Sequence, residues 1–166
     1  MKEVNKETLN NIHQTIELLR VQHDNIHGSQ EQQWIQEHLT DEKLKQEVLN
    51  LSIVAFHILS ALELGEQTGI EIAEKINVTR GGVTRAAKKL LQYGLIIAVK
   101  HPDDKKKLYY SLTSNGKKVA KVHDQMHETI KTKLVDKLTA KYSMDELNIV
   151  ANFLNDLYQL EQKFSV

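Results

Sequence analysis

Two pairs of histidines in this chain have a spacing that suits a shared metal ion. His23 and His27 are four residues apart, and so are His123 and His127. Because residues i and i+4 of a helix lie on one face, each pair can direct two imidazole nitrogens at one cation. His57 lies in the apolar stretch "IVAFHILSAL", where an imidazole without a partner would be costly. The sequence leaves an alternative open, in which the pairs are solvated and His57 bonds a neighbouring polar group.

A histidine-bound metal can also activate water for hydrolysis. A zinc protease of the H-E-x-x-H type has glutamate directly after the first histidine, whereas here Asp124 follows His123. The sequence contains no Ser-His-Asp pattern, no glycine-rich phosphate loop and no paired-carboxylate pattern. We therefore expect no catalytic residues and no enzyme activity, and a helical metal-dependent hydrolase is the enzyme alternative.

The composition narrows the possible classes of protein. The 166 residues suit one domain, and the 22 basic and 22 acidic side chains balance. There is no cysteine, which excludes disulfides, thiolate metal sites and sensing by thiol oxidation. The first residues are polar and no run of 18 apolar residues occurs, so we expect no secretory leader, no membrane span and a cytoplasmic protein.

The apolar periodicity predicts a mainly α-helical chain with one small β-hairpin. The predicted order is a helix over 5–27, further helix over 28–50 with a break at "HGSQ", short helices over 51–64 and 68–76, a helix from Thr79, a hairpin turning at "HPDD", a helix from Thr113 to about Leu138, and a last helix. Ser143 and Glu146 form an S-x-x-E capping box that opens the last helix.

The stretch "IEIAEKINVTRGGVTRAAKKLLQYGLI" predicts a helix-turn-helix. Thr79 is a good N-cap for its second helix, and Gly94 stands where a helix C-terminus favours a left-handed residue. The predicted buried residues are Ile70, Ile72, Ala73 and Ile76 in the first helix and Val83, Ala86, Ala87, Leu90 and Leu91 in the second.

The second helix of such a motif enters the DNA major groove with its first turns. Gly81 and Gly82 stand there, although each costs roughly 1 kcal/mol relative to alanine within a helix, which suggests close backbone approach to a partner.

Residues 79–107 carry eight Lys and Arg against two Asp, a net charge of +6, which favours a polyanion partner. The predicted DNA-contacting residues are Thr79, Arg80, Gly81, Gly82, Thr84, Arg85 and Lys88 in the helix and Lys105 and Lys106 in the hairpin. A basic surface helix without a DNA-binding role is the alternative.

The order of elements resembles the MarR family of winged helix-turn-helix regulators. The resemblance is sharpest in "VTRGGVTRAAKKLLQYGLI" and "DDKKKLYYSLTSNGKKVA". In the second motif Asp104, Lys106, Leu112, Thr113 and Gly116 occupy the family's Asp-x-Arg and Leu-Thr-x-x-Gly positions, with lysine replacing arginine.

That resemblance implies a single domain over 1–166 that acts as an obligate homodimer on pseudo-palindromic duplex DNA. The implied winged helix-turn-helix lobe covers 51–113, and the implied helical dimerisation region covers 1–50 and 114–166. Most of the family responds to small aromatic or phenolic ligands, which remains the alternative to a metal effector.

The histidines resemble those of one branch of this family, the zinc-sensing repressors of zinc uptake. The resemblance implies a Zn(II) site of Asp24, His57, His123 and His127, with zinc as co-repressor. Residues 28–50 are about 15 residues longer than in that branch, so the carboxylate position is open to substitution. The substitutes considered are His23, His27, Glu37, His38 and Asp41. Phe56 and Val122 stand where the branch has carboxylates of a second metal site.

Overall fold

The structure, a computed structural model, describes residues 6–25, 27–102 and 104–164, with the side chains of 20–29, 105, 106 and 164 left undescribed. Its elements are α1 (Lys6–Asn25), α2 (His27–His38), α3 (Glu42–Val48), α4 (Ile53–Ala61), a 3-10 turn (Leu62–Leu64), β1 (Gln67–Thr68), α5 (Gly69–Lys75), α6 (Arg80–Gln92), β2 (Ile96–His101), β3 (Asp104–Leu112), α7 (Ser114–Thr139) and α8 (Met144–Phe164). The predicted fold class, mainly helical with a small hairpin wing, is confirmed.

Side-chain caps set where several helices begin. The hydroxyls of Ser52 and Thr79 accept backbone N–H bonds at the starts of α4 and α6. Ser143 and Glu146 form the predicted capping box, which satisfies backbone donors at the start of α8. The helix break predicted at "HGSQ" lies just before this motif, because α1 ends at Asn25 and α2 begins at His27, so the four residues form the first turn of α2.

The hairpin belongs to a three-stranded antiparallel sheet in the order β1-β3-β2. Ile96 pairs with Leu112 and Val99 with Tyr109, and the register shifts between Val99 and His101. The two-residue strand β1 pairs with Tyr109 and Tyr110 on the other edge of β3. This third strand was not predicted, since two residues carry no alternation pattern.

The core lies around α4 and α6. Phe56, Leu59 and Ile58 of α4 are fully buried, and Val83 and Leu90 of α6 join the same cluster. Residues from α2, α3, α5 and the start of α7 complete the cluster. The α4 helix packs against both α5 and α6, so it is the common support of the helix-turn-helix.

Two residues expected in this core are exposed. Ile70 is 47% exposed because it is two positions before Ile72, about 200° around the helix and therefore on the opposite face. Leu91 is 38% exposed because it follows Leu90 by one position and is rotated about 100° away from the core. Gly94, just after α6, is at positive φ as expected for a helix C-terminus, and Asn77, in the turn between α5 and α6, is also at positive φ.

The chain divides into two compact units between Met126 and His127, inside the uninterrupted helix α7. In the second unit none of residues 127–163, whose side chains are described, is buried. Its exposed apolar residues include Ile130, Leu134, Leu138, Ile149, Val150, Phe153, Leu154, Tyr158 and Leu160. So many exposed apolar side chains on two helices are typical of a surface that associates with another chain.

Among the described residues no single helix is both long enough and apolar enough to cross a bilayer. The pair Glu42–Val48 and Ile53–Leu64 passes the same test only together, across a bend of 119°. Its apolar side chains, such as Leu44, Val48 and Phe56, are part of the core described above.

Candidate functional site

The α6 helix presents one apolar and one basic face. Val83, Ala86, Ala87 and Leu90 bury the apolar face, following i, i+3, i+4 and i+7 spacing. The opposite face is solvent-exposed, and it carries most of the side chains that the sequence assigned to DNA. These exposed residues are Thr79, Arg80, Gly81, Thr84, Arg85 and Lys88, with Gly82 partly exposed.

Two of these residues also hold the helix together. The Thr79 hydroxyl accepts the Gly82 N–H at 3.1 Å, and the Thr84 hydroxyl donates to the Arg80 carbonyl at 2.9 Å. A methyl group added at Gly81 would meet no heavy atom within 4 Å. Protein packing therefore does not require glycine at position 81, which leaves its backbone open to an external partner.

An open cavity of about 540 Å³ lies where α5, α6 and β3 meet. Arg80 and Thr84 line it from α6, Glu71 from α5, and Lys107 and Tyr110 from β3. The capping bonds to Thr68 hold the pKa of Glu71 below its ordinary value, so this carboxylate is charged beside two cations. The cavity is a concave, mixed-charge surface next to the exposed start of α6.

The hairpin carries the remaining basic residues. The Lys107 ammonium lies 3.1 Å from the carboxylate of Asp104, three residues earlier in β3. At the end of β2, where His101 is the register partner of Asp104, His101 Nε2 lies 2.8 Å from Glu66 Oε2 and its ring and that of Tyr109 are in a T-shaped arrangement. The side chains of Lys105 and Lys106 lie outside the described residues, so their predicted DNA contacts stay predictions.

A second cluster combines three histidines and one carboxylate. Glu31 of α2, His57 of α4, and His123 and His127 of α7 each offer one ligand atom, and these atoms lie within 4.8 Å of one another. Glu31 and His123 are buried, His57 is half-buried and His127 is exposed. The first three lie in the first unit, and His127 follows His123 by four residues on the same continuous helix.

The donor set of this cluster fits a divalent zinc ion. Three imidazoles and one carboxylate are a common tetrahedral set, and ligands at ~2.1 Å from the metal lie ~3.4 Å apart. The observed spread of up to 4.8 Å is somewhat wider, so closure requires modest side-chain rotation, for which the exposed His127 has room. One carboxylate beside neutral imidazoles also offsets part of a double positive charge.

His123 is fixed on several sides. Its Nδ1 lies 2.8 Å from Ser60 Oγ and 3.2 Å from Asp124 Oδ1, and Ser60 donates to the same Asp124 oxygen at 2.6 Å. Phe56 stacks on the ring with 5.9 Å between centroids. The other ring nitrogen, Nε2, faces Glu31 at 3.9 Å.

A further carboxyl group adjoins this network. Its hydrogen bond to Asp124, together with burial and the charge of Asp124, raises the pKa of Glu63 to about 7. Burial acts against the charged form of Asp124, but hydrogen bonds from Glu63, Ser60 and His123 together lower its pKa. As pH falls through about 7 the pair therefore takes up one proton on Glu63 while Asp124 remains a carboxylate.

The structure brings His57, His123 and His127 together, while the side chain of Asp24 lies outside the described residues. The carboxylate described in the cluster is Glu31, which sequence reasoning missed. The available signal was its position four residues before the buried Ile35, which puts a carboxylate on the apolar face of α2.

The substitutes considered for Asp24 lie elsewhere where their side chains are described. His38 is exposed and stacks on Trp34, Asp41 caps α3, and Glu37 accepts a bond from Gln33. The side chains of His23 and His27 are outside the described residues.

Comparison with known proteins gives the same family for the sequence and for the fold. The sequence profile of the MarR family matches residues 51–108. The transcriptional regulator ZitR of Lactococcus lactis subsp. cremoris is 33% identical over 102 residues, which cover 61% of this chain and 69% of ZitR. The match to YvnA of Bacillus subtilis, an uncharacterised HTH-type transcriptional regulator, is 30% identical and spans 63% of this chain and 66%, just under two thirds, of YvnA.

Solved structures agree with these sequence matches. The crystal structure of Lactococcus lactis ZitR, described as a zinc-responsive MarR family member, superposes with a TM-score of 0.70 at 26% identity, covering 92% of this chain and 97% of ZitR. A ZitR variant in complex with DNA superposes with a TM-score of 0.60 at 31% identity, covering 67% of this chain and 75% of that one.

Proposed function

This chain belongs to the MarR family of transcriptional regulators, and on that premise we propose that it is a DNA-binding repressor whose operator affinity is set by zinc. The observation that carries the zinc assignment is the cluster of Glu31, His57, His123 and His127. Operator DNA as the partner implies a cytoplasmic location.

The DNA-reading element in this proposal is the exposed face of α6. Arg80 and Arg85 are exposed near its start, where a helix-turn-helix contacts base edges. The wing lysines Lys105 and Lys106 contact phosphate, which positions the protein without reading sequence. ZitR supports this assignment, because its structure with DNA shares the fold of this chain.

The functional unit in this proposal is a homodimer on a pseudo-palindromic operator. The exposed apolar side chains of α8, such as Phe153 and Leu154, need a partner surface. A second copy of the chain supplies it, and two α6 helices can then reach successive major grooves. The dimerisation region assigned from the sequence, 1–50 and 114–166, stays part of this proposal.

Zinc acts in this proposal by joining three helices. It would be held by Glu31 on α2, His57 on α4 and the two histidines on α7. Since α4 packs directly against α6, restraining α4 restrains the reading helix. A ligand that favours one arrangement shifts the equilibrium towards it, and coupling of ~1–3 kcal/mol corresponds to a ~5–150-fold change in affinity.

The test is operator binding by fluorescence anisotropy with and without zinc at pH 7.5. Wild type should bind more tightly with zinc, while His57→Ala and His123→Ala should bind equally with and without it. His13→Ala is the matched control, because His13 is exposed on α1 and outside the cluster. If zinc leaves wild-type affinity unchanged, the metal switch is wrong and DNA binding alone stands.

The other functions considered are less well supported. The cluster offers metal ligands, whereas no comparable observation favours an aromatic effector. Members of this family are DNA-binding regulators, so a helical hydrolase is not favoured. Hydrolysis of ester or peptide substrates by the zinc-loaded protein, abolished in His123→Ala, would reverse that judgement.

A further inference from the structure

The hydrogen bonds around His123 determine which of its ring nitrogens can bind a cation. Ser60 has one hydroxyl proton, and it donates that proton to Asp124 Oδ1 at 2.6 Å. Ser60 Oγ can therefore only accept from the ring nitrogen 2.8 Å away, so the proton of the neutral imidazole is on Nδ1. The lone pair is then on Nε2, the atom that faces Glu31.

The second contact of Nδ1 agrees with this assignment. Asp124 Oδ1 lies 3.2 Å from Nδ1, and a carboxylate can only accept. The same oxygen thus receives a proton from the hydroxyl and one from the ring. Two aromatic contacts also restrain the ring, since Phe56 stacks on it and His57 makes a T-shaped contact with 5.4 Å between centroids.

We infer that Ser60 and Asp124 are positioning residues, which hold His123 as the Nδ1–H tautomer with Nε2 directed at the metal. This inference rests on the zinc site proposed above and adds two residues that do not touch the metal. Such outer partners fix the orientation of a histidine ligand, and their loss costs ~10–100-fold in metal affinity.

Ser60 also ties this arrangement to the DNA-reading lobe. It lies on α4 three residues after His57, and α4 packs against α6. Asp124 and His123 lie on α7. The Ser60–Asp124–His123 bonds therefore join α4 to α7 without metal, and the same two helices carry three of the four proposed ligands.

The experiment has two readouts on the full-length dimer. The first is the His123 tautomer in metal-free protein, from long-range ¹H–¹⁵N correlation spectra assigned with His123→Ala. The second is zinc affinity by competition with a chromophoric chelator. The variants are Ser60→Ala and Asp124→Ala, with Ser60→Thr to restore the hydroxyl. Asp136→Ala is the matched control, because Asp136 is an exposed aspartate on the same helix.

Wild type should show the Nδ1–H tautomer. Asp124→Ala should populate Nε2–H, because the Ser60 hydroxyl can then donate to Nδ1. Ser60→Ala should populate Nε2–H in part, because only the longer contact of Asp124 still accepts from Nδ1. Zinc affinity should fall ~10–100-fold in the alanine variants and should stay close to wild type in Ser60→Thr and Asp136→Ala. If Asp124→Ala does not fold, Asp124→Asn keeps the volume and an acceptor oxygen and should bind zinc with intermediate affinity.

Three results would overturn the inference. The first is an Nε2–H tautomer in wild type. The second is unchanged zinc affinity in Ser60→Ala and Asp124→Ala, whatever the tautomer. The third is a loss of affinity without a change of tautomer, which would indicate local damage only. Failure of the zinc proposal is distinguishable, because wild type itself would then bind zinc no better than His123→Ala does.

Discussion

Gly116 connects the helix that carries His123 and His127 to the helix-turn-helix lobe, and replacing it tests that connection. A Cβ atom at this position would lie 1.9 Å from the carbonyl oxygen of Leu95 and 3.0 Å from its carbonyl carbon. That oxygen already accepts bonds from the N–H and the hydroxyl of Thr113, both at 3.1 Å. The start of α7 therefore packs directly against the backbone of Leu95, which lies between the end of α6 and the start of β2.

The expected cost of Gly116→Ala can be estimated from this geometry. Contacts of a real Cβ essentially never fall below 3.0 Å, so helix and carbonyl must separate by about 1 Å. Overpacking of this kind costs ~1–3 kcal/mol, and one weakened hydrogen bond adds ~0.5–1.5 kcal/mol. Better helix propensity returns at most ~1 kcal/mol. The net loss of ~0.5–4.5 kcal/mol lowers Tm by roughly 1–18 °C for a chain of this size.

The assay is thermal unfolding followed by far-UV circular dichroism, at one protein concentration and without metal. Gly81→Ala is the matched control, because its Cβ meets nothing within 4 Å, and it should raise Tm slightly through helix propensity. A Gly116→Ala protein with the Tm of wild type or higher would refute the reasoning. Because α7 carries two proposed ligands, the variant should also bind zinc more weakly.

Four further predictions concern DNA binding and pH. Gly81→Ala should weaken operator binding although it does not destabilise the fold, and equal affinity would show that the glycine is not needed for close approach. Arg85→Ala should cost ~1–3 kcal/mol and relax sequence preference at one position per half-site, measured by anisotropy on single-base operator variants; unchanged affinity of a folded dimer would remove α6 from the reading role. Alanine at Lys105 or Lys106 should weaken binding to all sequences alike and flatten the salt dependence by about one unit per lost phosphate contact, whereas an unchanged slope would exclude phosphate contact. Glu63→Gln should gain Tm relative to wild type as pH rises from 5 to 8 in metal-free protein. The pKa of Glu63 is raised from 4.5 to about 7 on folding, so wild type loses stability as pH rises from about 4.5 to about 7 and then levels off. A pH-independent difference in Tm would contradict the shift.

The sequence by itself determined the features that depend on neighbours within a few residues. The apolar spacing of Val83, Ala86, Ala87 and Leu90 determined which face of α6 is buried and which is exposed. The Ser143–Glu146 capping box and the Thr79 cap are likewise local, because donor and acceptor are three residues apart. The pairing of His123 and His127 on α7 is also a local feature, since helical spacing alone puts both rings on one face.

Tertiary structure decided what depends on distant parts of the chain meeting. Glu31 became the carboxylate of the cluster because α2 is a separate helix whose packing through Ile35 turns that side chain inward. Ser60 and Asp124 are 64 residues apart, and Gly116 is small because a carbonyl 21 positions earlier occupies the space of its Cβ. Local periodicity assigns a residue to a face of its own helix, but the group opposite that face is set by how the helices pack.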